Sequence, residues 1–179
     1  MAGRKRKKLT ARVTFLQMRH RVKRHFPQPT RPRLALMRAQ NMPVAFYRYL
    51  YEQVGRDYHW YLRRVMDDLE LENIIQSDDT QIDVLYADGC PAGFFELDLS
   101  KLPTSVEIAY FGLCRDYVGI GAGKWFLQSA IEAAWSHEPE KLLVHTNTLD
   151  HPRALNLYQR LGFEPVRTGE ETVEPWPQT

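Results

Sequence analysis

The chain has 179 residues, 44 % apolar and 12 % aromatic, enough to bury one core and short for two. It has no apolar stretch of bilayer-spanning length and no apolar run after the charged N-terminus of the kind a secretory signal needs. Its two cysteines, Cys90 and Cys114, suit neither a disulfide framework nor a zinc site, so a cytoplasmic protein without a membrane partner or a metal is expected. The net charge of +2 conceals an asymmetry, because residues 1–33 hold twelve of the 24 Lys and Arg and no acid, which leaves 12 basic and 22 acidic residues beyond them. Residues 1–32 read as a basic arm. It is expected to be solvated or paired with the acidic body rather than a nucleic-acid site, since no regularly spaced aromatics interleave its cations.

In chain order, residues 1–10 are expected to be disordered, and Arg12 to Met18 to form a short strand, a candidate edge strand, before the proline-rich Phe26 to Pro32. A single domain over residues 33–179 follows. RLALMRA from Arg33 reads as a strand; Pro43 opens a helix whose Tyr47, Leu50, Tyr51 and Val54 share one face. A second helical stretch from Asp57 to Ile75 breaks near Asp67-Asp68, where an aspartate can cap a new N-terminus. IDVLYA and AGFFELDL flank the turn Asp88-Gly89-Cys90-Pro91 as a hairpin, and SVEIAYFGL continues the meander. Leu127, Ala130, Ile131, Ala134 and Trp135 line a helix, LLVHT is a buried strand, and Ala154, Leu157, Tyr158 and Leu161 mark a short helix that Gly162 stops before a last strand at Phe163. The order is β-α-α-β-β-β-α-β-α-β, an α/β (α+β) fold with helices on a mixed sheet.

Between the third strand of the meander and the next helix lies Leu113-Cys-Arg-Asp-Tyr-Val-Gly-Ile-Gly-Ala-Gly-Lys124. Glycines allow positive φ and close ligand approach, and the first N–H groups of a helix lack intrahelical acceptors, so such a turn can cradle a pyrophosphate. A P-loop needs glycine where Val118 stands and Ser or Thr where Trp125 stands, and a dinucleotide fingerprint beginning at Gly119 needs glycine at Lys124, so both are excluded.

The turn resembles motif A of the GNAT superfamily, R/Q-x-x-G-x-G/A, laid on Val118-Gly119-Ile120-Gly121-Ala122-Gly123, with Val118 in place of the leading Arg or Gln. One helix and one strand later, His151-Pro-Arg-Ala154-Leu-Asn-Leu-Tyr158-Gln-Arg-Leu-Gly162-Phe163 resembles motif B, matching at Ala154, Tyr158, Gly162 and Phe163, with His151 at the usual Asn position. The resemblance implies a mostly antiparallel sheet of six to seven strands with about four helices, splayed where CoA binds. It also implies acetyl-CoA as cosubstrate and N-acetylation of a small-molecule or peptide amine by direct attack in a ternary complex.

It further implies pyrophosphate contacts from Val118 to Lys124 and pantetheine contacts from a bulged strand at Phe111, Gly112, Leu113 and Cys114, Leu113 foremost, with Asn147 or Asn156 standing in for the missing Asn. Tyr158 is implied as the acid that protonates the leaving thiolate, although its place on the apolar face of its helix also suits a core tyrosine. Glu107 resembles the base-bearing glutamate of the histone-acetyltransferase branch and is expected on the same strand face as Ala109 and Phe111. Glu96 is the rival, since a carboxylate between apolar neighbours is costly unless used or paired. Either glutamate could instead pair with an arginine such as Arg48 or Arg63. His145 reads as a hydrogen-bonded core histidine, and Cys114 as a backbone contact only. The last strands of this fold often pair between protomers, which makes a homodimer an expectation. The competing reading is a catalytically weak CoA-binding or nucleic-acid-associated module that uses the basic arm.

Overall fold

The structure, a computed structural model, describes residues 7–176. Strand β1 (Leu9–Met18) leads through an extended connector to β2 (Leu34–Arg38) and helix α1 (Val44–Gly55). A 3-10 turn (Arg56–Tyr58), the one-turn helix α2 (Leu62–Val65) and α3 (Asp68–Ile75) precede the meander β3 (Thr80–Ala87), β4 (Cys90–Asp98) and β5 (Val106–Leu113). After α4 (Gly123–Trp135) come β6 (Leu142–Asn147), α5 (Ala154–Arg160) and β7 (Glu164–Val173). Among the described residues the strands make one sheet in the order β2-β3-β4-β5-β6-β1-β7, with only the β5–β6 pair parallel. No helix among them is long and apolar enough to cross a membrane.

Local chemistry sets the element ends. Pro43 supplies the fixed φ of −65° at the start of α1, and the Asp67 side chain accepts from Glu70 N–H at 2.8 Å to cap α3. Asp88 and Gly89 both take positive φ in the two-residue β3–β4 turn, as a type I′ hairpin requires. At the end of α5, Gly162 at φ +109° lets its own N–H reach Gln159 O and lets Phe163 N–H reach Tyr158 O. Two cores result. One face of the sheet carries α4 and α5 over Phe95, Phe126, Tyr158 and Phe163; the other carries α1 and α3 over Tyr47, Leu50, Leu71 and Phe94.

The N-terminal segment departs from expectation. β1 starts at Leu9, so the expected disorder over residues 1–10 does not extend to Leu9 and Thr10, and residues 1–6 lie outside the described residues. β1 is also not an edge strand: Val13 sits opposite Asn147 of β6 on one side and Gly169 of β7 on the other. Both β6 and β7 present an open edge, and Ala11, Val13, Leu16 and Met18 are buried by filling the gap. A boundary at 32/33 therefore cuts through the sheet. β2 and β7 are the edges.

Candidate active site

The site is made by a bulge and a parting of strands. Glu96 of β4 stands opposite Tyr110 of β5, but the next residue, Leu97, stands opposite Ile108, so Ala109 is an extra residue in β5. The extra residue reverses the side-chain alternation. Glu107 and Tyr110 face α1, with Tyr110 edge-on to Tyr51 at 5.2 Å, whereas Phe111 faces α4 and α5, 4.9 Å from Phe126 and 6.4 Å from Tyr158. The expectation that Glu107 and Phe111 share a face fails because the bulge that the resemblance implies falls between them, at Ala109, where the period-two alternation resets. On the other side, β5 pairs with β6 only from Val106 to Ile108, opposite Leu142 to Val144, and the strands then separate. A cleft of about 1200 Å³ opens through this gap, reaching both faces of the sheet.

At one end of the cleft stand Val118, Gly119, Gly121, Gly123 and Lys124. Gly119 and Gly121 have φ of +96° and +81°, and a Cβ built on any of the three glycines would meet open space. Among the described residues, no N–H from Gly119 to Trp125 has a protein acceptor; the first helical bond is Phe126 N–H to Ala122 O. Four of these donors, on Gly119, Gly121, Gly123 and Lys124, belong to residues that line the cleft and fit an anionic pyrophosphate. Ile120 and Ala122 do not line the cleft; Ala122 is fully buried under the turn.

Along the gap, backbone groups of β5 alternate in direction. Cys114 N–H is turned to β4, donating to Ala92 O at 2.8 Å, and Cys114 O accepts from Tyr117 N–H. The alternation of an antiparallel pair therefore directs Gly112 to β4, and Leu113 and Phe111 into the gap. Of the expected strand contacts, Leu113 and Phe111 have free backbone groups, while Cys114 is buried off the cleft, its thiol pushed up to about 11 by burial. Tyr158 lines the gap from α5; burial, with the charge of Asp150, holds its hydroxyl well above the ordinary range. That hydroxyl has no hydrogen-bond partner among the described residues, so it is not tied to a backbone group as a purely structural tyrosine would be.

The far end lies under the segment 58–66. Tyr58, Trp60, Arg63 and Met66 face Glu107, Tyr110, His145, Asp150 and Glu171. Trp60 is clamped by the C-terminal segment: Trp176 Nε1 donates to Trp60 O at 2.7 Å, and the Arg64 guanidinium lies 4.8 Å over the Trp176 ring. Glu96, though on this face, does not line the cleft. It is 1 % exposed, accepts a short hydrogen bond from the Tyr47 hydroxyl and pairs with Arg63 Nη2 at 2.6 Å. Asn147 is also committed, with Nδ2 donating to Glu171 at 2.6 Å and Oδ1 accepting from Leu149 and Asp150 N–H, whereas Asn156 is exposed on the wall. His151 accepts from Arg153 N–H in a turn that leads into α5.

Sequence reasoning missed His145. It is not in the core: its side chain is 40 % exposed at the cleft, and Nδ1 lies 2.9 Å from Glu107 Oε1. The hydrogen bond to Glu107 raises its pKa, against an opposing effect of burial, and Glu171 and Asp150 add to the rise. One available signal was the alternation of β6, in which Leu142, Val144 and Thr146 face the core and His145 therefore does not. No group of three or more metal-ligating side chains occurs among the described residues.

A model of the acetyltransferase (GNAT) family matches residues 41–163. The chain belongs to the GNAT family. No curated protein matches the sequence. Among solved structures, a GNAT-family protein from Novosphingobium aromaticivorans is 15 % identical with a TM-score of 0.63 over 93 % of this chain; this chain spans 65 % of it, less than two thirds of its length. An aminoglycoside acetyltransferase from an uncultured soil metagenomic sample is 14 % identical, TM-score 0.58, over 72 % of this chain and 86 % of its own. A mutant spermidine N-acetyltransferase from Vibrio cholerae is 18 % identical, TM-score 0.56, over 72 % and 77 %. These likenesses show a shared fold, the one expected, with seven strands and five helices among the described residues.

Proposed function

We propose that the protein transfers an acetyl group from acetyl-CoA to a primary amine by direct attack, the two substrates meeting in the gap between β5 and β6. The observation that carries this reading is the continuity of one cleft from the glycine turn, through the free edge of β5, to a wall bearing Glu107, Asp150 and Glu171. The unpaired N–H groups of Gly119, Gly121, Gly123 and Lys124 would hold the pyrophosphate, and the backbone of Leu113 and Phe111 the pantetheine. Carboxylates at the far end favour a cationic acceptor, small molecule or peptide, and the aromatic rings of Tyr58, Trp60 and Tyr110 bound its space. The neighbours' substrates, aminoglycosides and spermidine, are amines of this kind.

In this reading Tyr158 donates its proton to the departing sulfur. The hydroxyl, which burial raises further above its ordinary value, is protonated at neutral pH, as a donor must be. Thiol release from acetyl-CoA, measured against a panel of amino acids, polyamines, aminoglycosides and peptide N-termini, tests the reading. Release that depends on an amine is expected. Tight CoA binding by calorimetry with no release on any amine would make the protein a CoA-binding module instead.

A further inference from the structure

We propose that His145, not Glu107, takes the proton from the acceptor amine, and that Glu107 is its positioning residue. The inference rests on the acetyl-transfer reading above. Its basis is the pairing of the two side chains across the two strands that bound the gap. Glu107 lies in the last stretch where β5 still pairs with β6, and His145 is the first β6 residue beyond it. Glu107 Oε1 accepts from Nδ1 at 2.9 Å, which fixes the tautomer with the proton on Nδ1. Nε2 is left as the acceptor on a residue of the cleft wall, and the hydrogen bond of this ring among the described residues is the one from Nδ1.

The pair and Tyr158 reach the opening from different faces of the sheet. Tyr158 approaches the gap from the α4–α5 face, and His145 and Glu107 from the face that carries the 58–66 segment. A proton donor for sulfur and a proton acceptor for nitrogen thus stand on opposite sides of the same opening. As the amine nitrogen bonds to the thioester carbonyl carbon, it releases one proton to His145 Nε2. As the carbon–sulfur bond breaks, Tyr158 gives one proton to sulfur. Return of the proton from His145 to Tyr158 through water resets both groups, and an acceptor that binds as an ammonium releases one further proton to solvent. No other reactant is needed.

Several groups surround the imidazole. Glu107 faces it from β5, with Asp98 of β4 opposite Glu107; Glu171 approaches from β7 and Asp150 from the loop after β6. From β1, the Phe15 ring lies 5.8 Å away and carries the Arg167 guanidinium stacked at 3.5 Å. The net effect is to keep His145 protonated to higher pH than an ordinary imidazole, so the acid limb of the rate profile should lie on the alkaline side of that value.

The test combines kinetics with a titration of the free protein. His145→Gln should lower kcat by about 100-fold, the ordinary worth of a general base, with the acetyl-CoA KM little changed and the acid limb abolished. Glu107→Gln should keep a limb but displace it to lower pH, and the His145 ring signals followed by NMR should titrate at correspondingly lower pH than in the wild type. Wild-type activity in His145→Gln, or an unchanged His145 titration in Glu107→Gln, would overturn the assignment. So would a Glu107→Gln protein without activity beside an active His145→Gln with its acid limb intact, which makes Glu107 itself the base. Absence of amine-dependent thiol release by the wild type is a different failure, because it overturns acetyl transfer while the NMR titration still reports whether the pair forms.

Discussion

The two ends of the cleft are built from different materials. At the glycine turn and along β5 the groups that would meet the cosubstrate are backbone N–H and C=O. At the far end they are side chains drawn from β5, β6, β7, the 58–66 segment and the loop before α5, each held by another side chain. A backbone site binds what every reaction of this type shares and tolerates almost any side chain that leaves φ and ψ alone. A side-chain site is where an acceptor can be chosen, and it depends on a supporting network that a single substitution can undo.

The largest effect expected is at that network. Arg63→Ala leaves the Glu96 carboxylate buried without its cation, which should cost about 3–5 kcal/mol of stability in denaturant unfolding. A loss below about 1 kcal/mol would mean that Glu96 needs no partner and that the acceptor end is not network-supported. Next is Tyr158→Phe, a side-chain change at the backbone-built end. It should lower kcat by about 100-fold, near 3 kcal/mol, and leave the acetyl-CoA KM as it was; a raised KM with kcat intact would make the hydroxyl a binding group.

Gly121→Ala forces a Cβ into the left-handed region at a cost of about 1–2 kcal/mol, so the acetyl-CoA KM should rise about tenfold. Val118→Ala, beside it, should leave that KM within about twofold, since Val118 is exposed and its side chain accepts nothing. Equal responses at the two positions would break the contrast. An effect smaller than that at Gly121 belongs to Asp150→Asn, whose carboxylate holds Thr146 Oγ1 at 2.7 Å and Asn147 N–H at 2.9 Å. Weakening these by about 1 kcal/mol should raise the acceptor KM about fivefold and spare that of acetyl-CoA.

What the sequence disclosed follows the same division. The α1 face at Tyr47, Leu50, Tyr51 and Val54, the Asp67 cap, the Asp88-Gly89 turn and the Gly162 stop are local devices, written within a few residues and found where expected. The glycine turn is likewise local. The position of the expected bulge, at Ala109, is not, because it exists only as a mismatch between two strands. It put Phe111 on the face opposite to Glu107 and carried the period-two argument astray. The Glu107–His145 pair joins residues 38 apart, and a lone histidine in an apolar strand offers no hint of the carboxylate across from it. Glu96 was readable as costly, and an arginine partner was foreseeable, but its choice of Arg63 and Tyr47 came from how α1 and α2 pack.

β1 has one more consequence, in time rather than space. Among the described strands of the sheet β1 is made before the others, yet its neighbours are β6 and β7, made after the rest. Until β7 emerges, β1 has no complete set of partners, and Ala11, Val13, Leu16 and Met18 remain on an unpaired ribbon. Loops of more than a hundred residues must close before the sheet is continuous, which places these pairings among the slow steps of folding. Lys and Arg residues flank this segment in the sequence, and like charges beside an unpaired strand oppose its pairing with a second copy.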